Sequence, residues 1–274
     1  MKPFRMSYSP LSLPISLRGA RVLLVNDDGI DSAGLALLER TVGRFTDDVW
    51  TVAPRDNQSA RGRAYTLRRP IDCRHLAERR TAVEGTPVDC VLIALNGLIP
   101  GRRPDLVLSG VNQGTNLGED IPASGTVGAC LEAAEQGVPG LAFSQVGAYR
   151  DSDEAAWACA EQHLPGLLPK LVSALDHHEM VLNVNFPRLG ADGEIAGTCV
   201  VPAGRRKGPV MIETHEDDGN GTSTFYYDDL RAHDPRAPHC DIDRAYAGHI
   251  TITPLKLDPT HEARMPRLQT HFES

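Results

Sequence analysis

Along most of this chain, compact apolar runs end abruptly in polar turns and are followed by apolar residues at helical spacing. Val22-Leu23-Leu24-Val25 is apolar at every position, as in a strand covered on both faces. It gives way to Asn26-Asp27-Asp28-Gly29, a turn that cannot continue inside a core. Ser32 then suits an N-cap, and Leu35, Leu38, Val42 and Phe45 fall on one helical face. The unit reads strand, acidic turn, helix.

The same grammar recurs downstream. Val49-Trp50-Thr51-Val52-Ala53 makes a strand closed by Pro54, and the polar loop 55–63 leaves its carboxyl end. Strand-like pieces around Ile71 within 64–74, and Thr81-Ala82-Val83, follow without a readable pairing. Thr86-Pro87-Val88-Asp89 is a capping-box pattern with proline in the first turn, opening a helix over 88–98. Leu106-Val107-Leu108 predicts another buried strand, which runs out into Ser109-Gly110-Val111-Asn112-Gln113-Gly114-Thr115-Asn116-Leu117-Gly118-Glu119-Asp120. The glycines there imply positive φ or a close backbone approach. Ser124-Gly125-Thr126 opens a helix that ends at Gly137, Leu141-Ala142-Phe143 is a strand, and a further strand covers 180–186. Between these last two lies a helix over 153–175 with Trp157, Ala160, Leu164, Leu167, Leu171 and Leu175 on its inner face. Pro165 and Pro169 are expected to kink or split it.

Strands alternating with helices predict an α/β fold, a mostly parallel sheet sandwiched by helices. From about residue 190 the pattern changes to short strands, Cys199-Val200-Val201, Thr224-Phe225-Tyr226-Tyr227 and His249-Ile250-Thr251-Ile252-Thr253, with no strong helix among them. Such a tail is expected to make hairpins on the domain's edge or across a subunit interface. The chain therefore divides into a loose N-terminal extension (1–19), an α/β catalytic core (20–189) and a β-rich extension (190–274) that completes the same domain.

Composition narrows the function. With 274 residues the chain can bury a large core, and a formal net charge of −8 argues against coating a nucleic-acid polymer. Arg102-Arg103 and Arg205-Arg206-Lys207 are short basic runs of the kind that stay solvated. No apolar segment approaches membrane-spanning length, and Pro3, Pro10 and Pro14 interrupt the start, so no membrane partner is expected. The six cysteines are spread singly without a C-x-x-C pair, and Cys90, Cys130 and Cys159 fall in helices, which points to a reduced, cytoplasmic setting. The ten histidines, His215, His233, His239 and His249 among them, are spaced irregularly, as surface or packing residues are.

Polar loops leave the carboxyl ends of candidate strands with Asp27 and Asp28, with Ser59, and with Asn112 and Asn116. A parallel sheet brings such ends to one rim. If they meet, Asp27, Asp28, Ser59 and Asn112 offer two carboxylates, a hydroxyl and an amide oxygen, hard donors suited to magnesium, manganese or calcium and unlike a zinc set. Asp-Gly is also ordinary turn chemistry, so the pair alone leaves both readings open. Ser124-Gly125-Thr126 at a helix start suits a phosphate, through free N–H groups and the positive dipole end, and equally suits a plain N-cap.

These blocks, in order and spacing, resemble the SurE survival-protein family. The resemblance rests on Val25-Asn26-Asp27-Asp28-Gly29-Ile30, Ala53-Pro54 with Asn57-Gln58-Ser59, and Gly85-Thr86-Pro87-Val88-Asp89-Cys90-Val91. It extends through Ser109-Gly110-Val111-Asn112 with Gly114 and Asn116-Leu117-Gly118, then Ser124-Gly125-Thr126-Val127, and it covers roughly 21–255. It implies a Rossmann-like three-layer sandwich with a C-terminal β-hairpin extension used in assembling homodimers or homotetramers. The implied activity is a phosphatase, dependent on one divalent ion per subunit, magnesium or manganese, that acts on nucleoside 5′- and 3′-monophosphates and in some members on polyphosphate. By position, Asp27, Asp28, Ser59 and Asn112 match its metal ligands, and Asn116, Ser124, Gly125 and Thr126 its phosphate side, with Asp27, Asp28 and Asn116 catalytic. The chain departs from the family at Ala123, Gln113 and Arg63, which bears on substrate preference and the proton donor.

Other chemistries fit less well. A covalent aspartyl-phosphate needs Asp-x-Asp, and here that register reads Asn26-Asp27-Asp28 or Asp27-Asp28-Gly29. A non-catalytic, metal-dependent nucleotide-binding module is the alternative, although neither a P-loop nor a strand-linked G-x-G-x-x-G is present. A structural calcium site lacks the alternating acids of an EF-hand after Asp31.

Overall fold

The computed structural model describes residues 13–148, 154–206, 214–226 and 237–273. Expectations that fall on 1–12, Asp153, Lys207, Tyr227 and His233 lie outside the described residues.

The run 22–25 forms β1 (Val22–Val25), fully buried along its length, followed by α1 (Ala33–Val42). Alternation then divides the core between two faces. Val22 and Leu24 pack with Leu35 and Leu38 of α1, while Leu23 and Val25 pack on the opposite side. Each such side chain taken wholly from water contributes roughly 1.5–3 kcal/mol.

After β2 (Val49–Pro54), the stretch around Ile71 is not itself a strand; an antiparallel pair forms just beyond it, β3 (Cys73–Ala77) and β4 (Arg80–Val83). The helix expected over 88–98 begins as α2 (Pro87–Ile93), with its capping box intact, and loosens into a π turn over Ala94–Leu98. β5 (Leu106–Gln113), α3 (Gly125–Glu135) and β6 (Gly140–Gln145) follow. Next come α4 (Ala158–Ser173) and β7 (Val181–Phe186). Pro165 and Pro169 do not split α4, which runs through both. Pro169 and Glu161 lie at the solvent surface and Pro165 is half-buried, so water can serve the carbonyls that the missing N–H groups release.

Strand order is β3-β4-β2-β1-β5-β6-β7 up to this point, parallel from β4 to β7. α1 and α4 cover one face and α2 and α3 the other, which makes the Rossmann-like three-layer sandwich. Because β1 has β2 on one side and β5 on the other, the chain reverses its winding at β1, and the crevice opens at the carboxyl ends of β1 and β5.

The tail completes the sheet. β8 (Gly197–Val200) runs parallel to β11 (His249–Leu255), which pairs antiparallel with β7, while β9 (Thr214–Asp217) and β10 (Ser223–Tyr226) form a separate hairpin. Where the sequence showed no strong helix, two short ones are present, α5 (Asp241–Tyr246) and α6 (Met265–Phe272). α5 is one and a half turns long, too short for a repeating apolar pattern, and is fixed by burying Ile242 and Ala245. At the other end Ile15 and Leu17, inside the segment read as a loose extension, are buried in the core. All six cysteines are free thiols, and burial pushes those of Cys90, Cys130 and Cys159 upward. No helix among the described residues is long and apolar enough to cross a membrane.

Candidate active site

β1 delivers the acidic turn to the rim, and Asn26 shapes that turn. Its Nδ2 donates to the Gly29 carbonyl at 2.8 Å and to Ser32 Oγ at 2.7 Å, while Ser32 caps α1. Gly29 has a φ of +107°, which side-chain-bearing residues rarely adopt, so the chain reverses directly after the two aspartates.

The other loops reach this pair. The Gln58 N–H donates to the Asp27 carbonyl at 2.7 Å, setting the loop that carries Ser59 against the acidic turn. Ser59 is exposed, and its N–H donates to Asn57 Oδ1 at 2.8 Å, an Asx turn that fixes the loop locally. Across the β1–β5 crevice the Gln113 N–H donates to Asp28 Oδ2 at 2.9 Å. Asn112, one residue earlier, donates from Nδ2 to the Gly114 carbonyl at 3.1 Å, which fixes its amide and leaves Oδ1 outside that bond.

The first turn of α3 also converges on Asp27. Thr126 Oγ1 donates to Asp27 Oδ1 at 2.5 Å, and the N–H groups of Thr126 and Gly125 donate to the same carboxylate. Only glycine fits at 125, since a Cβ there would stand 2.8 Å from Asp27 Cβ and 2.9 Å from Oδ2. Ser124 caps the helix by accepting from the Val127 N–H at 3.0 Å, so the N-cap reading of Ser-Gly-Thr holds, and the bond leaves the hydroxyl proton of Ser124 to donate elsewhere. Part of what sequence alone offered to a phosphate is thus directed at a carboxylate.

Asn116 is anchored from behind. Its Nδ2 donates to Ser144 Oγ at 2.7 Å, its N–H to Asn185 Oδ1 at 2.9 Å, and its carbonyl accepts from Asn183 Nδ2 at 2.7 Å. Ser144, Asn183 and Asn185 escaped the sequence reading. For the two asparagines the signal was their place at alternate positions of an otherwise apolar strand, which a core accepts only when the amides are bonded. A second missed group is Glu132 on α3, 2 % exposed, whose Oε2 accepts from Arg63 Nη2 at 2.8 Å and from the Tyr65 hydroxyl at 2.6 Å. With the Gly62 N–H on the Ala123 carbonyl at 2.8 Å, this clamps the end of the Ser59 loop onto α3.

The electrostatics are one-sided. Burial pushes the Asp27 carboxyl above its ordinary range, against the Thr126 and Gly125 hydrogen bonds, and burial together with the Asp27 charge pushes Asp28 up to about 7. No arginine, lysine or histidine among the described residues bonds to either carboxylate, so the pair is short of positive charge. Among the described residues no three or more His, Cys, Asp or Glu side chains are grouped so that they could hold a metal ion by themselves. A cation here would draw on the neutral oxygens of Ser59 and Asn112 beside Asp27 and Asp28, a hard all-oxygen set that fits magnesium or manganese.

Comparison with known proteins gives the chain's family and fold. The family model described as survival protein SurE matches residues 22–208, a span that includes every residue of the rim just described. A protein of Paramagnetospirillum magneticum named 5′-nucleotidase SurE is 39% identical over 268 residues, covering 97% of this chain and all of its own. A protein of the same name from Phenylobacterium zucineum is 42% identical over 243 residues, covering 88% of this chain and 93% of its own. The crystal structure of the SurE protein from Aquifex aeolicus superposes with a TM-score of 0.76 at 30% identity, over 92% of this chain and 99% of that one. With the family model spanning most of the chain and these likenesses in agreement with the fold, the chain belongs to the SurE survival-protein family.

Proposed function

We propose that this chain is a divalent-cation-dependent 5′-nucleotidase that releases phosphate from nucleoside 5′-monophosphates, and also from 3′-monophosphates and polyphosphate. The observation that carries the proposal is the meeting of the loops at one uncompensated carboxylate pair. Gln58 and Thr126 bond Asp27, and Gln113 bonds Asp28. Asp27, Asp28, Ser59 and Asn112 would hold one magnesium or manganese ion per subunit. When bound, such an ion supplies neutralisation and polarisation of a phosphoryl oxygen, worth several kcal/mol in the transition state.

The chain's own groups do the rest. Thr126 and the first N–H groups of α3 hold Asp27 in one rotamer. Asp28 orients the attacking water. The Ser124 hydroxyl and the second Nδ2 proton of Asn116 take the phosphate oxygens, with the positive end of α3 behind them while Gly125 and Thr126 stay on Asp27, and Ser144 and Asn185 keep Asn116 from swinging away. The 190–274 extension joins subunits into a homodimer or homotetramer, and the protein works in the cytoplasm, with 20–189 as its catalytic core. The relatives' shared name supports the substrate class.

The test is phosphate release from AMP with manganese or magnesium, abolished by a chelator. Saturable, metal-dependent AMP binding without phosphate release would replace the enzyme with a binding module. Light scattering reports the assembly.

A further inference from the structure

β7 and β11 lie side by side and antiparallel, and the two faces of this pair differ in chemistry. On the side of α1 and α4, Leu182, Val184 and Phe186 of β7 and Ile250 and Ile252 of β11 all join the apolar core. On the α3 side, Val181 and Leu255 meet at one end with apolar contacts. Beyond them Asn183 stands opposite Thr253, and Asn185 opposite Thr251. None of these four polar residues is more than 2 % exposed.

The two asparagines are committed to Asn116. Asn185 Oδ1 accepts from its N–H at 2.9 Å, while Asn183 Nδ2 at 2.7 Å and Asn185 Nδ2 at 3.2 Å both donate to its carbonyl. Asn116 Nδ2 donates to Ser144, which neighbours Asn185 in register on β6. Three atoms of the same strip are left over. Asn183 Oδ1, Thr251 Oγ1 and Thr253 Oγ1 are buried and meet no hydrogen-bond partner among the described residues.

Valine has the shape of threonine, so a core gains nothing from a hydroxyl that bonds nothing, and burying one is costly. Three such atoms at adjoining register positions of two strands need a shared occupant. It must donate to Asn183 Oδ1, which can only accept, and it must fit between side chains whose Cβ atoms stand about 4.5–5.5 Å apart across an antiparallel pair. Water meets both conditions, with two protons to give and two lone pairs to take those of the threonines.

Resting on the phosphate contact assigned above to Asn116, we propose that Thr251 and Thr253 are positioning residues, whose hydroxyls hold internal water against Asn183 and Asn185. The braced amides fix the Asn116 backbone, so that its remaining Nδ2 proton stays aimed at the phosphate. A strand of the C-terminal extension thereby acts on the site without touching the substrate.

Two kinds of substitution separate this role from packing. Thr251→Val and Thr253→Val keep the shape and remove the hydroxyl, whereas Thr251→Ser and Thr253→Ser keep the hydroxyl and remove a buried methyl. In the valine variants, KM for AMP and the dissociation constant of inorganic phosphate, measured by calorimetry with manganese present, should rise together about fivefold, as for the loss of one neutral hydrogen bond. kcat and manganese affinity should stay at wild-type values, because only uniform binding is lost. The serine variants should melt lower and keep both constants. Constants that follow the melting temperature, or valine variants with unaltered phosphate affinity, overturn the proposal.

A high-resolution crystal structure of the wild-type protein decides the same point without an assay. Ordered water within hydrogen-bonding distance of both Thr253 Oγ1 and Asn183 Oδ1 is the expected result, and hydroxyls bonded only to backbone carbonyls of their own strands overturn it. If that water is present and the valine variants weaken phosphate binding, but AMP yields no phosphate, the brace stands and the phosphatase reading falls. Turnover that the valine variants leave untouched does the reverse.

Discussion

At the loop that follows β5, Arg206 gathers Glu119 and Asp120, whereas at the turn that follows β1, Asp27 and Asp28 adjoin with no cation between them. Arg206 is 4 % exposed, lies 2.8 Å from Asp120 and 3.2 Å from Glu119, and donates its N–H to Glu119 Oε1 at 2.8 Å. Burial alone would raise the Glu119 carboxyl, but backbone hydrogen bonds and the Arg206 charge hold it below its ordinary range. Nearby Asp241 is buried and accepts N–H bonds from Gly118 at 2.8 Å, Gly204 at 2.7 Å and Ile242 at 2.8 Å. The first cluster is closed within the chain and stitches the C-terminal part to the rim. In the second, Asp28 is raised to about 7 and no cationic side chain among the described residues bonds to either acid. In this molecule an acid group with its own donors holds the fold, and the one left short of charge is where the proposed chemistry is placed.

Replacing one carboxylate gives the strongest test of that contrast. Asp28→Asn should lower turnover of AMP on the order of a thousandfold, equivalent to about 4 kcal/mol, because the metal's transition-state contribution is lost. Since it also removes a like charge beside Asp27, the metal-free protein should melt no lower than wild type. Wild-type turnover at saturating manganese would end the assignment. Arg206→Met should do the opposite. It leaves two acids without their cation and should cost about 2–3 kcal/mol of stability by denaturant unfolding, less than a fully buried pair because Glu119 and Asp120 keep some solvent. The melting-temperature gain on adding manganese should persist.

The pH dependence of the metal-free protein comes next in size. The Asp28 carboxyl moves from 3.8 unfolded to about 7 folded, so between those values the folded chain binds more protons than the unfolded one. Stability from this group is full below about pH 3.8 and is lost as pH rises toward 7. Melting in chelator should therefore fall across that window relative to Asp28→Asn, and the stabilisation conferred by manganese should grow across it. Parallel curves for the two proteins would mean that the pair is compensated after all.

How much of this could be read in advance follows from how local each signal is. Val22-Leu23-Leu24-Val25 followed by Asn26-Asp27-Asp28-Gly29 states a strand, its burial and its end within eight letters, so the sheet and the acidic rim were legible. Ser124 announced its cap in the same way. What the letters could not show is that Thr126 bonds Asp27, 99 residues away, or that Arg63 meets Glu132, 69 residues away. Pro165 and Pro169 did not split α4 because proline's cost depends on whether the released carbonyls meet water, which is a property of the face they lie on. α6 carried a usable signal, Met265, Leu268 and Phe272 at helical spacing with proline in the first turn, but all three are exposed, so no core contact advertised it.

The smallest expected effect probes how the first cluster's logic serves the second. Glu132 is a buried carboxylate with its own donors, Arg63 and Tyr65, and so belongs with the acids that hold the fold, yet what it holds is the loop that carries Ser59, a proposed metal ligand. Glu132→Gln keeps the shape and removes the charge that Arg63 grips. The Gly62 bond to Ala123 remains, so the loop should loosen at one end only. Manganese affinity by calorimetry should then weaken roughly tenfold, as for other groups that orient a ligand from behind, while kcat at saturating manganese stays near wild type. A fall in kcat with unchanged affinity would place the clamp's influence on the phosphate end of α3 and not on the Ser59 loop, which is the other element it touches.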